Sequence, residues 1–189
     1  TAIMQAAAEV SKKNVKTIPE IMIPLVSLEE ELSYTKKRII QIIDNLNISK
    51  DVEYKIGTMI ETPRSALISS KLAKSVEFFS FGSNDLTQMT FGFSRDDSYR
   101  FIDEYKEKEL LKTDPFKSLD QQGVGELVKL SIKNAKKGNK NIKIGICGEH
   151  AGDLDTIAFC NRLKMDYISC SPYRITAALI KAAQSNIKK

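Results

Sequence analysis

The sequence predicts an α/β fold in which helices cover a parallel β-sheet. Five short apolar runs alternate with segments of helical periodicity, and turn or charged residues bound each run. None of the runs alternates apolar with polar residues over its whole length, which is typical of strands that are buried on both faces. The predicted strands span residues 20–26, 54–61, 78–85, 143–149 and 167–171.

Helices are predicted before and after the first strand. The chain opens with a helix over residues 2–12, and a second helix follows the first strand because apolar residues recur there at intervals of three and four. Ser27 and Glu30 have the spacing of a capping box at its start. The apolar stripe of this second helix consists of Leu28, Leu32, Thr35, Ile39, Ile42 and Leu46.

Further helices are predicted from N-cap signals and from the same periodicity. Thr62-Pro63 and Ser171-Pro172 each place an N-cap candidate before a proline, directly after a strand. A last helix is expected from about Ile175, and repeated βα units imply right-handed crossovers between parallel strands. Another helical stripe consists of Val124, Leu127, Val128, Ile132 and Ala135.

Two ways of closing this sheet remain open from the pattern alone. An open doubly wound sheet and a piece of a (β/α)₈ barrel both fit, although a complete barrel usually needs about 250 residues and this chain has 189. Residues 91–122 form a long excursion without a strand signal after the third strand. Active-site loops lie at that place in either architecture.

The composition favours a globular protein and excludes several other classes. With 42% apolar and 28% charged residues, the chain is neither a disordered tail nor collagen-like. Its longest uncharged apolar stretch, residues 21–26, is too short to cross a bilayer. The net charge of +5 comes mostly from lysines spread along the chain, which indicates a solvated surface. We therefore expect neither a membrane nor a nucleic-acid partner, with the basic stretch at 133–143 as the weaker alternative.

The cysteines and the two ends of the chain bear on its cellular context. Cys147, Cys160 and Cys170 form an odd set without CxxC spacing, so reduced thiols in the cytoplasm are expected, with Cys160 and Cys170 in the core. Residues 185–189 are not the peroxisomal Ser-Lys-Leu ending. Because the first residue is Thr1, we expect the chain to be part of a longer polypeptide.

Three reactive side chains follow three of the predicted strands. Glu61 ends the second strand, Asp85 the third, and Cys147 lies at the end of the fourth. The carboxyl ends of parallel strands open onto one rim, so we expect these groups to meet in one pocket. Two carboxylates with free positions for substrate oxygens suit Mg²⁺, and a thiol can exchange a proton with a carbon centre.

Each of these residues also has a purely structural interpretation. Glu61 can neutralise a helix dipole before Pro63, Asp85 can cap a helix, and Cys147 can be a small buried apolar residue. The glycine, hydroxyl and amide of Gly82-Ser83-Asn84 suit close approach of an anion, but an Asx-type turn explains them equally well. His150, the only histidine, is a candidate to line the pocket.

Six segments of the chain together form a distinctive set of motifs: Gly57-Thr-Met-Ile-Glu-Thr-Pro-Arg64, Phe78-Phe-Ser-Phe-Gly-Ser-Asn-Asp85 with its continuation to Asp97, Gly145-Ile-Cys-Gly-Glu-His150, Asp114-Pro-Phe, Asp120-Gln-Gln-Gly-Val-Gly125 and Ser169-Cys-Ser-Pro-Tyr-Arg174. These motifs closely resemble the C-terminal PEP/pyruvate-binding barrel of the pyruvate, phosphate dikinases, within the PEP-utilising enzyme family. The resemblance covers essentially the whole chain. PEP synthase and the PTS enzyme I share the glutamate, Asn-Asp and cysteine motifs and are the alternative within the family.

The resemblance implies a role for each site residue. Glu61 and Asp85 match the Mg²⁺ ligands, which also contact substrate, and Gly82, Ser83 and Asn84 match residues that line the substrate. Cys147 matches the acid that protonates the enolate carbon when pyruvate forms. The family interconverts ATP, phosphate and pyruvate with AMP, diphosphate and PEP through a phosphohistidine on a mobile domain. That histidine belongs to another motif, so His150 is not expected to carry phosphate.

The resemblance also implies the architecture and the partners. Residues 1–189 are expected to be the C-terminal part of a TIM (β/α)₈ barrel, about five βα units corresponding to strands four to eight. The upstream strands with their phosphate-binding arginines, the phosphohistidine domain and the ATP-grasp domain would lie outside, so the segment alone is expected to be inactive. Departures are small: Ser83 replaces a usual threonine, Thr62 an aliphatic residue and Ala151 a glycine. A homodimerisation segment and a stand-alone Mg²⁺-dependent aldolase are the alternatives.

Overall fold

A five-stranded parallel sheet organises the protein. The computed structural model describes residues 1–46 and 52–187, and the strands lie side by side in the order β1-β2-β3-β4-β5. The lysines that end the chain, at 188 and 189, fall outside this range. The strands are β1 (Glu20–Ile23), β2 (Lys55–Ile60), β3 (Phe78–Gly82), β4 (Lys143–Cys147) and β5 (Tyr167–Ile168).

The helices alternate with these strands, as the sequence predicts. A single 3₁₀ turn follows β4 at Glu149–Gly152 and another follows β5 at Pro172–Arg174. Within the described residues, no helix is both long and apolar enough to cross a membrane. The helices are α1 (Ala2–Ser11), α2 (Glu29–Asn45), α3 (Pro63–Leu67), α4 (Ser69–Leu72), α5 (Ser83–Phe91), α6 (Tyr99–Glu107), α7 (Val124–Gly138), α8 (Leu154–Arg162) and α9 (Ile175–Asn186).

The strand order shows how the sheet is wound. Every neighbouring pair is parallel, and each strand lies beside the next one in the chain. In a doubly wound sheet the order reverses at a switch point, and the five described strands contain no such reversal. Helix α4 packs against α2 and α7, so these three helices share one face of the sheet.

The two faces of the sheet have different chemistry. The face toward the helices is apolar, and its isoleucines and phenylalanines belong to the main hydrophobic core: Ile56, Ile60, Phe79, Phe81, Ile144 and Ile146. Because strand residues alternate between faces, the other face carries Gly57, Phe78, Ser80, Gly82, Gly145 and Cys147. The glycines on this second face make space for larger neighbours, since a Cβ at Gly57 would overlap the Phe78 ring and a Cβ at Gly145 would overlap the Tyr167 ring.

A long-range ion pair shows that the sheet curves toward its second face, the one that carries the glycines and Cys147. Lys143 Nζ lies 3.0 Å from Glu20 Oε1, although β1 and β4 are separated by two other strands. In a flat sheet their backbones would stand about 14 Å apart, at three spacings of about 4.8 Å. An ion pair across that separation is expected only when the strands curl toward each other on this side.

Several details differ from the sequence predictions at element ends. The strands stop up to three residues earlier than predicted. Glu31, rather than Glu30, accepts hydrogen bonds from the backbone N–H groups of Ser27 and Leu28. In α2 the buried residues are Leu32, which belongs to the predicted stripe, and Ile43. Ile42 is 41% exposed, because a strict three-four stripe drifts around a helix with 3.6 residues per turn.

The helix starts predicted at Thr62-Pro63 and Ser171-Pro172 differ in the structure. Thr62 Oγ1 accepts from the backbone N–H of Ser65 and caps α3, as predicted. Ser171 makes no such side-chain bond, and only a 3₁₀ turn follows it. Helix α5 begins at Ser83, so Asp85 lies in its first turn rather than at its N-cap. The interpretation of Asp85 as an N-cap is therefore wrong.

Candidate active site

The carboxyl ends of β2, β3 and β4 meet at one edge of the sheet. Glu61 directly follows β2, Gly82 ends β3, and Cys147 ends β4. The register pairs Gly82 with Cys147. Glu61 and Cys147 thus lie at strand ends on either side of β3, as the sequence predicts, whereas Asp85 follows β3 in the first turn of α5.

The Glu61 carboxylate is buried and held from the side of β1. Glu61 is 3% exposed, and its Oε1 accepts a hydrogen bond of 2.6 Å from the backbone N–H of Leu25. Leu25 has a φ of 51°, a left-handed conformation that is uncommon for a branched residue. Because such strain persists only where surroundings enforce it, the chain after β1 is held in a shape that presents this N–H to Glu61.

Glu61 and Asp85 face each other as like charges. Burial raises the pKa of Glu61, the Leu25 N–H partly offsets that rise, and the nearby carboxylate of Asp85 raises the pKa further. Like charges this close favour a shared proton or a shared cation. Since Mg²⁺ binds to one or two carboxylates and leaves its other positions to water and substrate, this pair fits a magnesium ion. The described residues hold no larger cluster of three or more Asp, Glu, His or Cys suited to a metal.

Gly82 makes the position of the Glu61 carboxylate possible. A Cβ atom at residue 82 would overlap Glu61 Oε2 and would also stand 2.7 Å from Glu61 Cβ. Any side chain there would therefore displace the carboxylate. The glycine is needed for close approach of the two strands' ends, since its own φ of −81° lies in an ordinary region.

Ser83 and Asn84 connect the loop after β3 to the loop after β4. The Ser83 hydroxyl, 1% exposed, is 2.8 Å from the Cys147 carbonyl oxygen. Asn84 Oδ1 accepts from the backbone N–H of Glu149 at 3.0 Å. Between them Gly148 has a φ of +100°, and a Cβ there would stand 2.5 Å from Ser83 Oγ. Ser83 Oγ and Asn84 Oδ1 thus bind protein groups, and contact of these two residues with substrate stays a prediction.

The thiol of Cys147 is half-buried and lies close enough to Glu61 to be affected by its negative charge. Its Sγ lies 3.6 Å from the Phe81 carbonyl oxygen, to which the S–H can donate. Burial raises the pKa of this thiol, the Ser80 hydroxyl partly offsets that effect, and the negative charge of Glu61 adds to it. At neutral pH the sulfur therefore keeps its proton. This state suits a proton donor better than a nucleophile.

His150 lies behind the site rather than in the pocket. It is fully buried, with Nδ1 2.8 Å from Ser83 Oγ and Nε2 2.7 Å from the Pro115 carbonyl oxygen. The prediction that His150 lines the pocket is therefore wrong. An imidazole without solvent access cannot receive a phosphoryl group from another domain, which agrees with the expectation that it is not the phosphocarrier.

Tyr167 is a neighbour of the thiol that the sequence reasoning missed. Gly145 lies opposite it on β4, and a Cβ on that glycine would overlap the tyrosine ring. The ring therefore crosses β4, and its hydroxyl donates to the Phe79 carbonyl oxygen at 2.9 Å. Burial is the main cause that raises the pKa of Tyr167 to about 12, and the Cys147 charge adds to it. The only sequence signal for this contact is a glycine on one strand where the neighbouring strand carries a tyrosine.

A cavity of about 710 Å³ lies beside the site, between the excursion and the loop after β4. At the border of this cavity, a guanidinium nitrogen of Arg95 lies 3.9 Å from Glu149 Oε1. The lining mixes four basic residues with four acidic ones, so its charge is balanced: Arg95, Lys106, Lys117 and Arg174 against Asp103, Asp114, Glu149 and Asp153.

Comparison with known proteins gives a consistent result. The family model described as PEP-utilising enzyme, PEP-binding domain, matches residues 1–187. Pyruvate, phosphate dikinase of Clostridium symbiosum is 46% identical over 187 residues, which are 97% of this chain and 21% of that protein. Pyruvate, phosphate dikinase 2 of Zea mays is 49% identical over 185 residues, with the same shares. The chain thus spans about a fifth of the length of these relatives.

Proposed function

Since this chain belongs to the PEP-utilising enzymes through their PEP-binding domain, we propose that it carries the pyruvate/PEP half-site of a pyruvate, phosphate dikinase. The full reaction would interconvert ATP, phosphate and pyruvate with AMP, diphosphate and PEP. The observation that supports this role best is the joint placement of Glu61, Asp85 and Cys147. Glu61 lies close enough to both Asp85 and Cys147 to interact with them electrostatically, which supports a single site.

Glu61 and Asp85 would hold Mg²⁺ in this proposal. The ion, when bound, would stabilise the negative charge of the enolate, an effect worth several kcal/mol. The chain's own contribution is to keep the buried carboxylate of Glu61 beside the half-buried carboxylate of Asp85. Leu25 N–H orients Glu61, Gly82 leaves it space, and helix α5 carries Asp85 in its first turn.

Cys147 would be the general acid and base of the half-reaction. When PEP gives up its phosphoryl group, the enolate accepts a proton at its methylene carbon from the Cys147 S–H, leaving pyruvate and a thiolate. In the reverse direction the thiolate removes a methyl proton. Its raised pKa keeps the thiol protonated for the first direction and makes the thiolate a stronger base for the second.

The architecture that we propose is the C-terminal part of a (β/α)₈ barrel, with residues 1–189 supplying about five βα units. The sequential order of the parallel strands supports it, as does the curvature required by the Lys143–Glu20 ion pair. The remaining strands would come from the rest of the polypeptide. Because phosphate-binding groups would lie there too, we expect the isolated segment to be inactive.

The partners that we propose follow from the same family membership. A phosphohistidine domain of the full enzyme would approach the rim formed by the strand ends. A homodimer is the second candidate role, and helix α9 supports it because Leu179 and Ile180 are 67% and 55% exposed. Sedimentation equilibrium of the full enzyme tests this role, and a monomer would contradict it. Free thiols at Cys147, Cys160 and Cys170 agree with the cytoplasm as the proposed compartment.

The experiment that tests the half-site follows exchange of pyruvate methyl protons with deuterated water. The full-length enzyme should catalyse this exchange with Mg²⁺ and lose it when the metal is chelated. Exchange needs no nucleotide, so it isolates the chemistry that this chain would provide. Absence of exchange in an enzyme whose nucleotide half-reaction is intact would contradict the proposed function.

A further inference from the structure

His150 connects the proposed site to the excursion. One ring nitrogen contacts Ser83 Oγ at 2.8 Å, and the other contacts the Pro115 carbonyl oxygen at 2.7 Å. Ser83 Oγ continues the chain to the Cys147 carbonyl oxygen at 2.8 Å. Both side chains lie where solvent does not compete, since Ser83 and His150 are at most 1% exposed.

The protons available to this chain of contacts can be counted. A carbonyl oxygen only accepts, so His150 Nε2 must carry the hydrogen that binds to Pro115. Ser83 has a single hydroxyl hydrogen and faces two partners, His150 Nδ1 and the Cys147 carbonyl oxygen. In the neutral imidazole both partners are acceptors for that one hydrogen. The single hydroxyl hydrogen is therefore shared between the imidazole nitrogen and the Cys147 carbonyl oxygen, and the orientation of the Ser83 hydroxyl depends on both.

The groups around the His150 imidazole have opposing effects on its pKa. Burial is the largest effect and lowers the pKa of His150, and Arg95 acts in the same direction. The Pro115 carbonyl, Asp153 and Asp114 act in the opposite direction. With burial dominant, the neutral imidazole that donates from Nε2 is the form present at neutral pH.

We propose that His150 is a positioning residue for the proton transfer by Cys147, acting through Ser83, which in turn holds the Cys147 backbone. This inference rests on the proposed function, because it assigns His150 to the reaction of that site. Cys147 is the last residue of β4, and Ser83 Oγ donates to its carbonyl oxygen. A small displacement of a reacting group costs up to about 100-fold in rate.

Two substitutions separate the two contacts of the imidazole. In His150→Asn the amide occupies the place of Nδ1 and keeps a partner for Ser83, while the Pro115 contact is lost. In His150→Gln the longer amide reaches the place of Nε2 and keeps the Pro115 contact, while Ser83 loses its partner. Both variants are made in the full-length enzyme, and exchange of pyruvate methyl protons is measured against pyruvate concentration.

The proposal expects His150→Gln to lower the maximal exchange rate by about 10- to 100-fold and His150→Asn to retain most of it. The half-saturating pyruvate concentration and the nucleotide half-reaction should stay unchanged in both, because the carboxylates are untouched. Ser83→Ala should cause a loss similar to that of His150→Gln, and the double variant should lose no more than either single one.

The contrary outcomes are distinct. Equal losses in both histidine variants, or a loss in His150→Asn alone, would show that the histidine only supports the fold or the excursion. A normal rate in His150→Gln would overturn the inference and leave the proposed function intact. No exchange in the unchanged enzyme would overturn both. If His150→Gln does not fold, the Ser83→Ala rate, with and without His150→Asn, decides the same question.

Discussion

The backbone of Gly82 lies directly against the Glu61 carboxylate, with no room for a single methyl group between them. Gly82→Ala should therefore push the carboxylate out of the site while leaving both strands in place. We expect it to weaken Mg²⁺ or Mn²⁺ binding by at least about tenfold and to abolish pyruvate proton exchange. Metal binding is measured by titration of Mn²⁺ against the full-length enzyme.

Gly92→Ala provides a matched control for this substitution. Gly92 has a φ of +67° and no heavy atom within 4 Å of the position of a Cβ. Alanine there costs about 1 kcal/mol of stability because of the backbone conformation, but it reaches no site residue. Unchanged metal binding in Gly82→Ala, or an equal loss in Gly92→Ala, would contradict the close-packing argument.

The meeting of Glu61 and Cys147 beside the end of β3 could be predicted because it depends only on strand order, whereas the place of Asp85 also depends on where α5 begins. Parallel strands that follow one another in the chain bring their carboxyl ends to one edge, whatever fills the rest of the fold. The order β2-β3-β4 and the pairing of Gly82 with Cys147 agree with this reasoning.

The supporting contacts could not be predicted because they depend on three-dimensional packing. The bond from Leu25 N–H to Glu61 needs a left-handed residue after β1 that no local signal marks. His150 follows a strand end in sequence, yet its ring turns toward Ser83 and Pro115 instead of the pocket. Tyr167 reaches β3 only because Gly145 on the intervening strand has no side chain.

The carboxylates of Glu61 and Asp85 should be needed for metal binding, whereas an acidic residue outside the site should not. Glu61→Gln and Asp85→Asn each remove a negative charge and a candidate ligand, so each should lower Mn²⁺ affinity at least about tenfold. Asp97→Asn is the control, because Asp97 pairs with Arg100 on the exposed excursion. Titrations that show equal affinity in all three variants would exclude this pair as the metal site.

Cys147 should be needed for proton transfer to and from the pyruvate methyl carbon and not for the nucleotide half-reaction. Cys147→Ala is expected to abolish pyruvate methyl-proton exchange and to leave the nucleotide half-reaction intact, because the thiol touches only the half-site. Cys170→Ala removes another half-buried free thiol and should leave both activities unchanged. The two rates are measured by exchange into deuterated water and by isotope exchange between ATP and AMP. Exchange that survives in Cys147→Ala would assign the proton to another group.

The cap of α3 should stabilise the fold measurably. Thr62 Oγ1 accepts from Ser65 N–H and contacts Ser27 Oγ at 3.1 Å. Thr62→Ala is expected to lower the free energy of unfolding by about 1 kcal/mol. Ser171→Ala, where the side chain caps nothing, should change it by less than about 0.5 kcal/mol. Denaturant titration compares them, and equal effects would contradict the cap.

Glu61 should make the stability of the metal-free protein fall as pH rises. Its pKa in the fold is raised above the ordinary value of 4.5, so the folded state binds more protons than the unfolded chain between those two values. The associated stability is fully present below about pH 4.5 and is lost as pH rises through the higher folded pKa. Glu61→Gln, which cannot ionise, should flatten this decline and exceed the unchanged protein in stability at neutral pH without metal.

Added Mg²⁺ should reverse the order of these two proteins, because the ion binds to the ionised Glu61 of the folded state and stabilises that state by mass action. Glu149→Gln, at an exposed glutamate that pairs only loosely with Arg95, should follow the unchanged protein with and without metal. Thermal melting across pH, with Mg²⁺ or chelator, measures all three. If Glu61→Gln were less stable than the unchanged protein at neutral pH in chelator, the buried carboxylate would be serving the fold rather than a cation. The magnesium site would then have to be placed elsewhere on the rim.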